Sequence, residues 1–239
     1  SRSPLTLALS LKGRGDELDL AESGIQVRMK SMGTEKKKLL LATRNPGKVR
    51  ELARLLAGAP YALVSLAHAR LAIEVQETGR TFEENARLKA SGYSAASGLL
   101  TLADDSGLEV DALQGEPGVM SARYGGHGLS DQDRVRVLLE RMKTVPGWKR
   151  QARFRAVLAL AGPGVPGGVI ATQGVIEGAI AHEPIGANGF GYDPVFWLKD
   201  RAKTLAELSG DEKDAVSHRG QAARKMADAL RLLLAGQPD

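Results

Sequence analysis

An apolar run, Leu99-Leu100-Thr101-Leu102-Ala103, leads without a break into two adjacent aspartates, Asp104 and Asp105, and then into Ser106-Gly107. A short apolar run closed by a turn signal reads as a buried strand. Its carboxyl end would deliver two carboxylates to a turn, and ligands of open α/β sheets sit at the carboxyl ends of strands. A carboxylate placed there can hold Mg²⁺ or take a proton from water. The same residues also suit an acidic, solvated turn, since carboxylates are mostly surface groups. Strand alternation sends Asp104 and Asp105 to opposite faces, so one of them faces a ligand directly unless the strand bends at Ser106-Gly107.

The flanking sequence alternates between strand and helix signals. Leu39-Leu40-Leu41-Ala42 predicts a short buried strand. Val49, Leu52, Ala53, Leu55 and Leu56 then form one helical stripe. Thr81 with Glu84 is a capping box that opens a helix towards Ser97. Leu108 to Leu113 predicts a partner strand after the double aspartate, and Ser130 caps a helix carrying Val135, Leu138, Leu139 and Met142. Two long β-type stretches follow, Ala152 to Ala161 and Val169 to His182, and the chain ends in an amphipathic helix from about His218 to Leu234. A turn, not a helix, joins the two long β stretches, so the expected class is α/β with a mixed sheet.

Composition narrows the function. The 239 residues contain no cysteine, which excludes disulfides, thiolate metal sites and a cysteine nucleophile. No run approaches the roughly 18 apolar residues of a membrane span, and no secretory h-region stands at the start, so the expected location is cytoplasmic. The formal charge of +5 is uneven: residues 1–38 hold eight Lys/Arg against five Asp/Glu, and the rest hold 25 against 23. With aromatics at 4%, the chain lacks an extended base-stacking platform, and no stable nucleic-acid complex is expected. A small anionic ligand fits better. Residues 1–37 mix charges without long apolar runs and predict a disordered N-terminal extension ahead of one domain over 38–236.

Several motifs could carry chemistry. The first strand runs into Thr43-Arg44-Asn45-Pro46-Gly47-Lys48, with Asn45 as N-cap and Pro46 as first helical residue. A helix N-terminus beside Thr43, Arg44 and Lys48 makes a plausible triphosphate cradle, although an ordinary strand–turn–helix junction has the same form. The spacing is not that of a P-loop. Gly162-Pro163-Gly164-Val165-Pro166-Gly167 matches a dinucleotide fingerprint, but it precedes a β-type run where that fingerprint must open a helix, so it reads as a hairpin turn. No G-x-S-x-G elbow and no H-E-x-x-H motif is present, and the four histidines lack metal-ligand spacing.

In Gly189-Phe190-Gly191-Tyr192-Asp193-Pro194, glycines let the backbone approach a flat ligand and an aromatic could stack on a base, or the loop could anchor itself to the core. Lys213 and Ser217-His218-Arg219-Gly220 form a basic cluster at a helix start. Positive charge opposes the dipole there unless an anion or acceptor pairs with it.

Five segments together, "LLLATRNPGKVREL", "ETGRTFEENARLKA", "LADDSGLEVDALQGEPGVMSARYGG", "GANGFGYDPVF" and "EKDAVSHRGQA", resemble the inosine triphosphate pyrophosphatase family, in the family's order and over nearly all of Leu39 to Leu234. The resemblance implies an elongated mixed sheet flanked by helices, two lobes around a nucleotide cleft, and usually a homodimer. It implies Mg²⁺-dependent hydrolysis of non-standard purine nucleoside triphosphates to the monophosphate and pyrophosphate. Asp105 matches the family's catalytic aspartate and metal ligand, and Glu77 a second metal-site carboxylate. Asp104 and Lys89 match supporting charged groups. Thr43 to Lys48 and Ser106 match the phosphate-binding elements. Phe190, Gly191, Tyr192, Asp193, Lys213, His218 and Arg219 match the base pocket. The alternatives are a pyrophosphatase for other modified nucleotides and a non-catalytic nucleotide-binding protein.

The extension has no counterpart in these segments. A chain beginning at Glu35 should keep the melting temperature and turnover of the full chain, measured by calorimetry and product release. A large loss of either would show that the segment packs on the domain.

Overall fold

The computed structural model describes residues 36–236. Apart from Lys36 and Lys37, the expected disordered extension lies outside the described residues. The described chain forms one seven-stranded sheet in the order β2-β1-β3-β4-β5-β6-β7. The strands are β1 (Lys38–Ala42), β2 (Ala62–Ser65), β3 (Leu100–Val110), β4 (Gln151–Ala161), β5 (Val169–Ile180), β6 (Phe196–Leu198) and β7 (Lys203–Thr204). β1 runs parallel to both β2 and β3, and every later pairing is antiparallel. The sheet is therefore mixed, as expected: helical crossovers serve the parallel pairs, and a turn joins the two long antiparallel strands β4 and β5.

The helices are α1 (Pro46–Leu55), α2 (Phe82–Ser97), α3 (Asp131–Arg141), α4 (Gly210–Val216) and α5 (His218–Ala235). Their starts follow local chemistry. Asn45 caps α1, and Thr81 with Glu84 and Ser130 with Asp133 close capping boxes on α2 and α3. Gly98 ends α2 with φ +69°, a left-handed cap that glycine adopts without steric cost.

One expectation is corrected here. The chain does not turn at Ser106-Gly107; β3 continues through it as a single 11-residue strand, and Asp111–Leu113 is a 3₁₀ turn, not strand. β4 lies antiparallel to all of β3 from Thr101 to Val110 and keeps it extended. The parallel partner β1 stops at Ala42, opposite Ala103, so the aspartates lie at the point where the parallel part of the sheet ends. The glycine-rich stretch after Ala161 is a hairpin turn, as its prolines indicated.

Alternation along β3 divides the core. Leu102 packs with Leu52, Leu56, Met226 and Leu230 of α1 and α5. On the same face, Leu108 and Val110 pack with Leu138 and Met142 of the α3 lobe. Ala103 points the other way, into a core with Phe82, Ala86, Ala90 and Tyr93 of α2. Asp104 and Ser106 are thus the two positions between two apolar clusters on one face, and a cleft opens there.

The seat of α5 on the sheet is tight. At Gly174 of β5 an added Cβ would lie 2.1 Å from the carbonyl oxygen of His218, backbone against backbone. Gly174→Ala should therefore lift the start of α5 and cost about 1–3 kcal/mol, the range for an overpacked core. At about 2–4 °C per kcal/mol for a domain of this size, thermal unfolding would read the loss directly. An unchanged melting temperature would mean that the helix start shifts freely.

Candidate active site

Two adjoining cavities share Asn45, Lys48, Ser106 and Ala122 and form one cleft. One end, about 150 Å³, is bordered by Phe190, Lys213, His218 and Arg219. The other, about 230 Å³, is bordered by Thr43, Glu77, Lys89 and Asp105. The residues singled out in the sequence, apart from Pro46 and Gly47, therefore border this cleft, with the aromatic loop at one end and the carboxylates at the other.

The two aspartates differ as strand alternation requires. Asp104 faces α1 and α5 and is saturated. Its Oδ2 accepts from Arg219 Nε at 2.8 Å, and its Oδ1 accepts from Lys48 Nζ at 2.5 Å and Ser106 Oγ at 2.9 Å. Burial alone would push its carboxyl up, but Arg219 and Lys48 outweigh that and hold it far below the usual carboxylate range. Asp105 faces α2. Its Oδ1 accepts from Lys89 Nζ at 2.9 Å, and Lys89 also donates to the Asp104 carbonyl at 2.8 Å and meets Glu77 at 3.4 Å. Its Oδ2 is buried without a hydrogen-bond partner. Burial pushes the Asp105 carboxyl up, against the pull of Lys89 and Lys48.

That free oxygen bears on the implied Mg²⁺. Among the described residues no group of three or more His, Cys, Asp or Glu forms a metal cage. Mg²⁺ is commonly held by one or two carboxylates plus substrate phosphates rather than by a full protein cage. Asp105, with an unused Oδ2, and Glu77, reached through the same Lys89, fit that need.

The cationic groups are more fully engaged than the sequence suggested. Lys213 Nζ lies 2.5 Å from Asp193 and 2.6 Å from Glu51. Arg219 gives Nε to Asp104, Nη1 to Glu51 and Nη2 to Ser106 Oγ at 2.8 Å. The anion demanded by positive charge at the start of α5 is thus inside the protein. Glu51 was missed because a glutamate on an amphipathic helix reads as solvent-facing; the one signal was that Arg219 at the start of α5 needed an anion, from ligand or protein, and the protein supplies it. His218 stacks on Phe154 at 4.7 Å, and burial, then Arg219 and Lys213, hold its pKa well below the ordinary value. Its Nδ1 has no partner.

The phosphate motif also departs from its simple form. Asn45 Oδ1 accepts from both Gly47 N and Lys48 N, and Val49 N donates to the Asn45 carbonyl. Pro46 has no N–H, so the first-turn amides of α1 are already satisfied and Lys48 carries the charge. Thr43 Oγ1 accepts from Asn45 N, whereas Arg44 turns to the Leu71 and Ile73 carbonyls. In the base-side loop, Asp193 Oδ2 accepts from Phe190 N at 2.8 Å and Gly191 N donates to Asp131. Tyr192 sits in the core with its hydroxyl on the Ser121 carbonyl, leaving Phe190 as the ring available for stacking. Lys213 lies 4.9 Å and Arg219 5.6 Å from the Phe190 ring centre, both as cation–π contacts.

The depressed Asp104 fixes the sign of an acid effect. A carboxyl whose folded pKa lies below its unfolded value of about 3.9 contributes stability that is present above that pH and is lost as pH falls beneath it. Asp104→Asn should remove about 3–5 kcal/mol at neutral pH by leaving buried cations unpaired. It should also flatten the fall in melting temperature below about pH 4. An acid limb unchanged from wild type would show that Asp104 is not the ionised anchor.

The chain is similar to known proteins in sequence and in fold. A family model described as the Ham1 family matches residues 39–229. The dITP/XTP pyrophosphatase of Yersinia pseudotuberculosis is 51% identical over 195 residues, covering 81% of this chain and 98% of that protein. The dITP/XTP pyrophosphatase of Bacillus subtilis is 45% identical over 194 residues, covering 81% and 97%. A solved HAM1 protein from Coxiella burnetii superposes with a TM-score of 0.74 at 39% identity, over 82% of this chain and 98% of that one. With sequence and fold in agreement over almost the whole described domain, this chain belongs to the Ham1 family.

Proposed function

We propose that the chain hydrolyses non-standard purine nucleoside triphosphates (ITP, dITP and XTP) between the α and β phosphates. The products would be the nucleoside monophosphate and pyrophosphate, and the reaction would clear these nucleotides before they enter DNA or RNA. The observation that carries this reading is the unpartnered Oδ2 of Asp105, whose other oxygen is held by Lys89, at one end of a cleft whose other end holds Phe190. The dITP/XTP pyrophosphatases named above support it.

Triphosphate cleavage needs charge neutralisation and an aligned water more than a covalent nucleophile. Lys48 and Lys89 supply positive charge at the phosphate end. Lys89 holds Oδ1 of Asp105 and so fixes the direction in which Oδ2 points. That oxygen is the one Asp105 has to offer, and it serves either the proton of the attacking water or the metal, not both at once. Mg²⁺, held by Asp105 and Glu77, would neutralise phosphate oxygens and polarise the phosphorus.

At the base end Phe190 stacks on any purine and does not choose among them. Arg219 and Lys213 carry only donors, and those not already given to Asp104, Glu51, Ser106 and Asp193 would match the 6-oxo acceptor of hypoxanthine and xanthine but not the 6-amino group of adenine. Sites built this way can reject the mismatched base by orders of magnitude. Asn45 borders both ends of the cleft, and Gly47 lies against the Phe190 ring. A homodimer in the cytoplasm completes the reading; no described helix is long and apolar enough to cross a membrane. Sedimentation would give the oligomeric state.

Incubation with ITP and Mg²⁺ should yield IMP and pyrophosphate, resolved by chromatography, and EDTA should abolish turnover. Release of IDP and orthophosphate would sink the α–β assignment. Asp105→Asn should lose at least ~10²-fold in kcat, the lower end of general-base effects, while remaining folded.

A further inference from the structure

The Glu77 carboxylate sits in a segment, residues 71–79, that has no regular secondary structure. The helix behind it holds the end of that segment. Gly79 N donates to Asn85 Oδ1 at 2.8 Å, and Glu84 Oε2 accepts from Arg80 N at 2.6 Å and Thr81 N at 3.2 Å. Asn85 is fully buried. One helical turn further on, on the same face of α2, Lys89 meets Glu77. Two successive inward positions of the helix therefore address this segment: Asn85 grips the backbone two residues after Glu77, and Lys89 meets the carboxylate itself.

The contact is close. A Cβ at Gly79 would lie 2.6 Å from Glu84 Cβ and 2.7 Å from Asn85 Oδ1. Asn85 Nδ2 has no partner, although the side chain is buried. An unmet buried donor costs about 1–3 kcal/mol. An apolar side chain of similar size would avoid that cost and would lose the Gly79 bond.

We infer that Asn85 is a positioning residue for Glu77: it holds the turn after Glu77 so that this carboxylate stands with Asp105 on Lys89 as a pair facing a divalent cation. The inference rests on the proposed function for the identity of the cation. Asn85 touches neither substrate nor metal; its effect passes through the Gly79 backbone. Loss of its acceptor frees Glu77 and leaves Asp105 in place, so cation affinity falls further than the limiting rate. Residues that orient metal ligands change affinity or activity by about 10–100-fold when removed.

The test compares wild type, Asn85→Ala, Glu77→Gln and the double variant in the full chain. The readouts are Mn²⁺ binding to nucleotide-free protein by electron paramagnetic resonance, the Mg²⁺ concentration for half-maximal ITP turnover, kcat at saturating Mg²⁺, and melting temperature. Asn85→Ala should weaken Mn²⁺ binding and raise the half-saturating Mg²⁺ by about tenfold or more, with a smaller change in saturated kcat. The double variant should be no weaker in metal binding than Glu77→Gln alone, since residues acting through one another are not additive.

A lowered melting temperature with unchanged metal binding would reduce Asn85 to a structural role and overturn the inference, as would additive losses in the double variant. If Asn85→Ala does not fold, Gly79→Ala pushes on the same contact from the other side and carries the same expectations. Wild type that binds Mn²⁺ but turns over no triphosphate would defeat the proposed function, while the binding arm would still decide the role of Asn85.

Discussion

A chain of buried, alternating charges holds the cleft together: Asp193, Lys213, Glu51, Arg219, Asp104 and Lys48, each paired with the next. The chain joins the loop after β5, helices α4, α1 and α5, and strand β3. Charges this deep are tolerated because every one is paired and hydrogen-bonded; an ion left alone there would meet a desolvation cost of several kcal/mol. The network is therefore better understood as a demand for registry than as a source of stability. α1, α5 and the Phe190 loop must each arrive at one place on β3, or a buried ion loses its partner.

The chain of pairs also links the two ends of the cleft. Asp104 holds Arg219, which borders the Phe190 end, with one oxygen and Lys48, which borders both ends, with the other. Burial pulls the Lys48 pKa down and the Asp104 charge partly restores it. Asp105, one residue along the strand, belongs to a separate cluster with Lys89 and Glu77 on the other face. Adjacent identical residues differ because the pleat separates them: one is saturated with cations, and the other keeps an oxygen without a partner.

The helix termini show how local rules and ligand binding compete. The start of α1 has the form of a phosphate cradle, yet Asn45 already takes the two amides that such a cradle would offer. The start of α5 carries His218 and Arg219 against the dipole, and Glu51 and Asp104 relieve it from within. In both places local sequence rules describe the helix correctly. They do not say whether the unsatisfied group is met by ligand or by protein.

Much of the architecture was legible in the sequence because it follows from local periodicity and capping. The apolar stripe before Leu56, the Thr81–Glu84 box, the Ser130 cap and the two long β runs joined by a proline-rich turn all appear as read. The five family-like segments located the residues that line the cleft. What local patterns could not supply was context from across the sheet. The apparent turn at Ser106-Gly107 is continuous strand because β4 pairs with all of it, a contact some fifty residues away. Glu51 gave no local signal because its partners lie about 160 residues further on. The sequence by itself determined which elements form and which residue types gather at the cleft, since these depend on neighbours along the chain. Tertiary structure alone decided that Asp104 is sealed by Arg219 and Lys48 while Asp105 keeps a free oxygen, because burial and ion pairing depend on what the folded chain brings against each face of one strand.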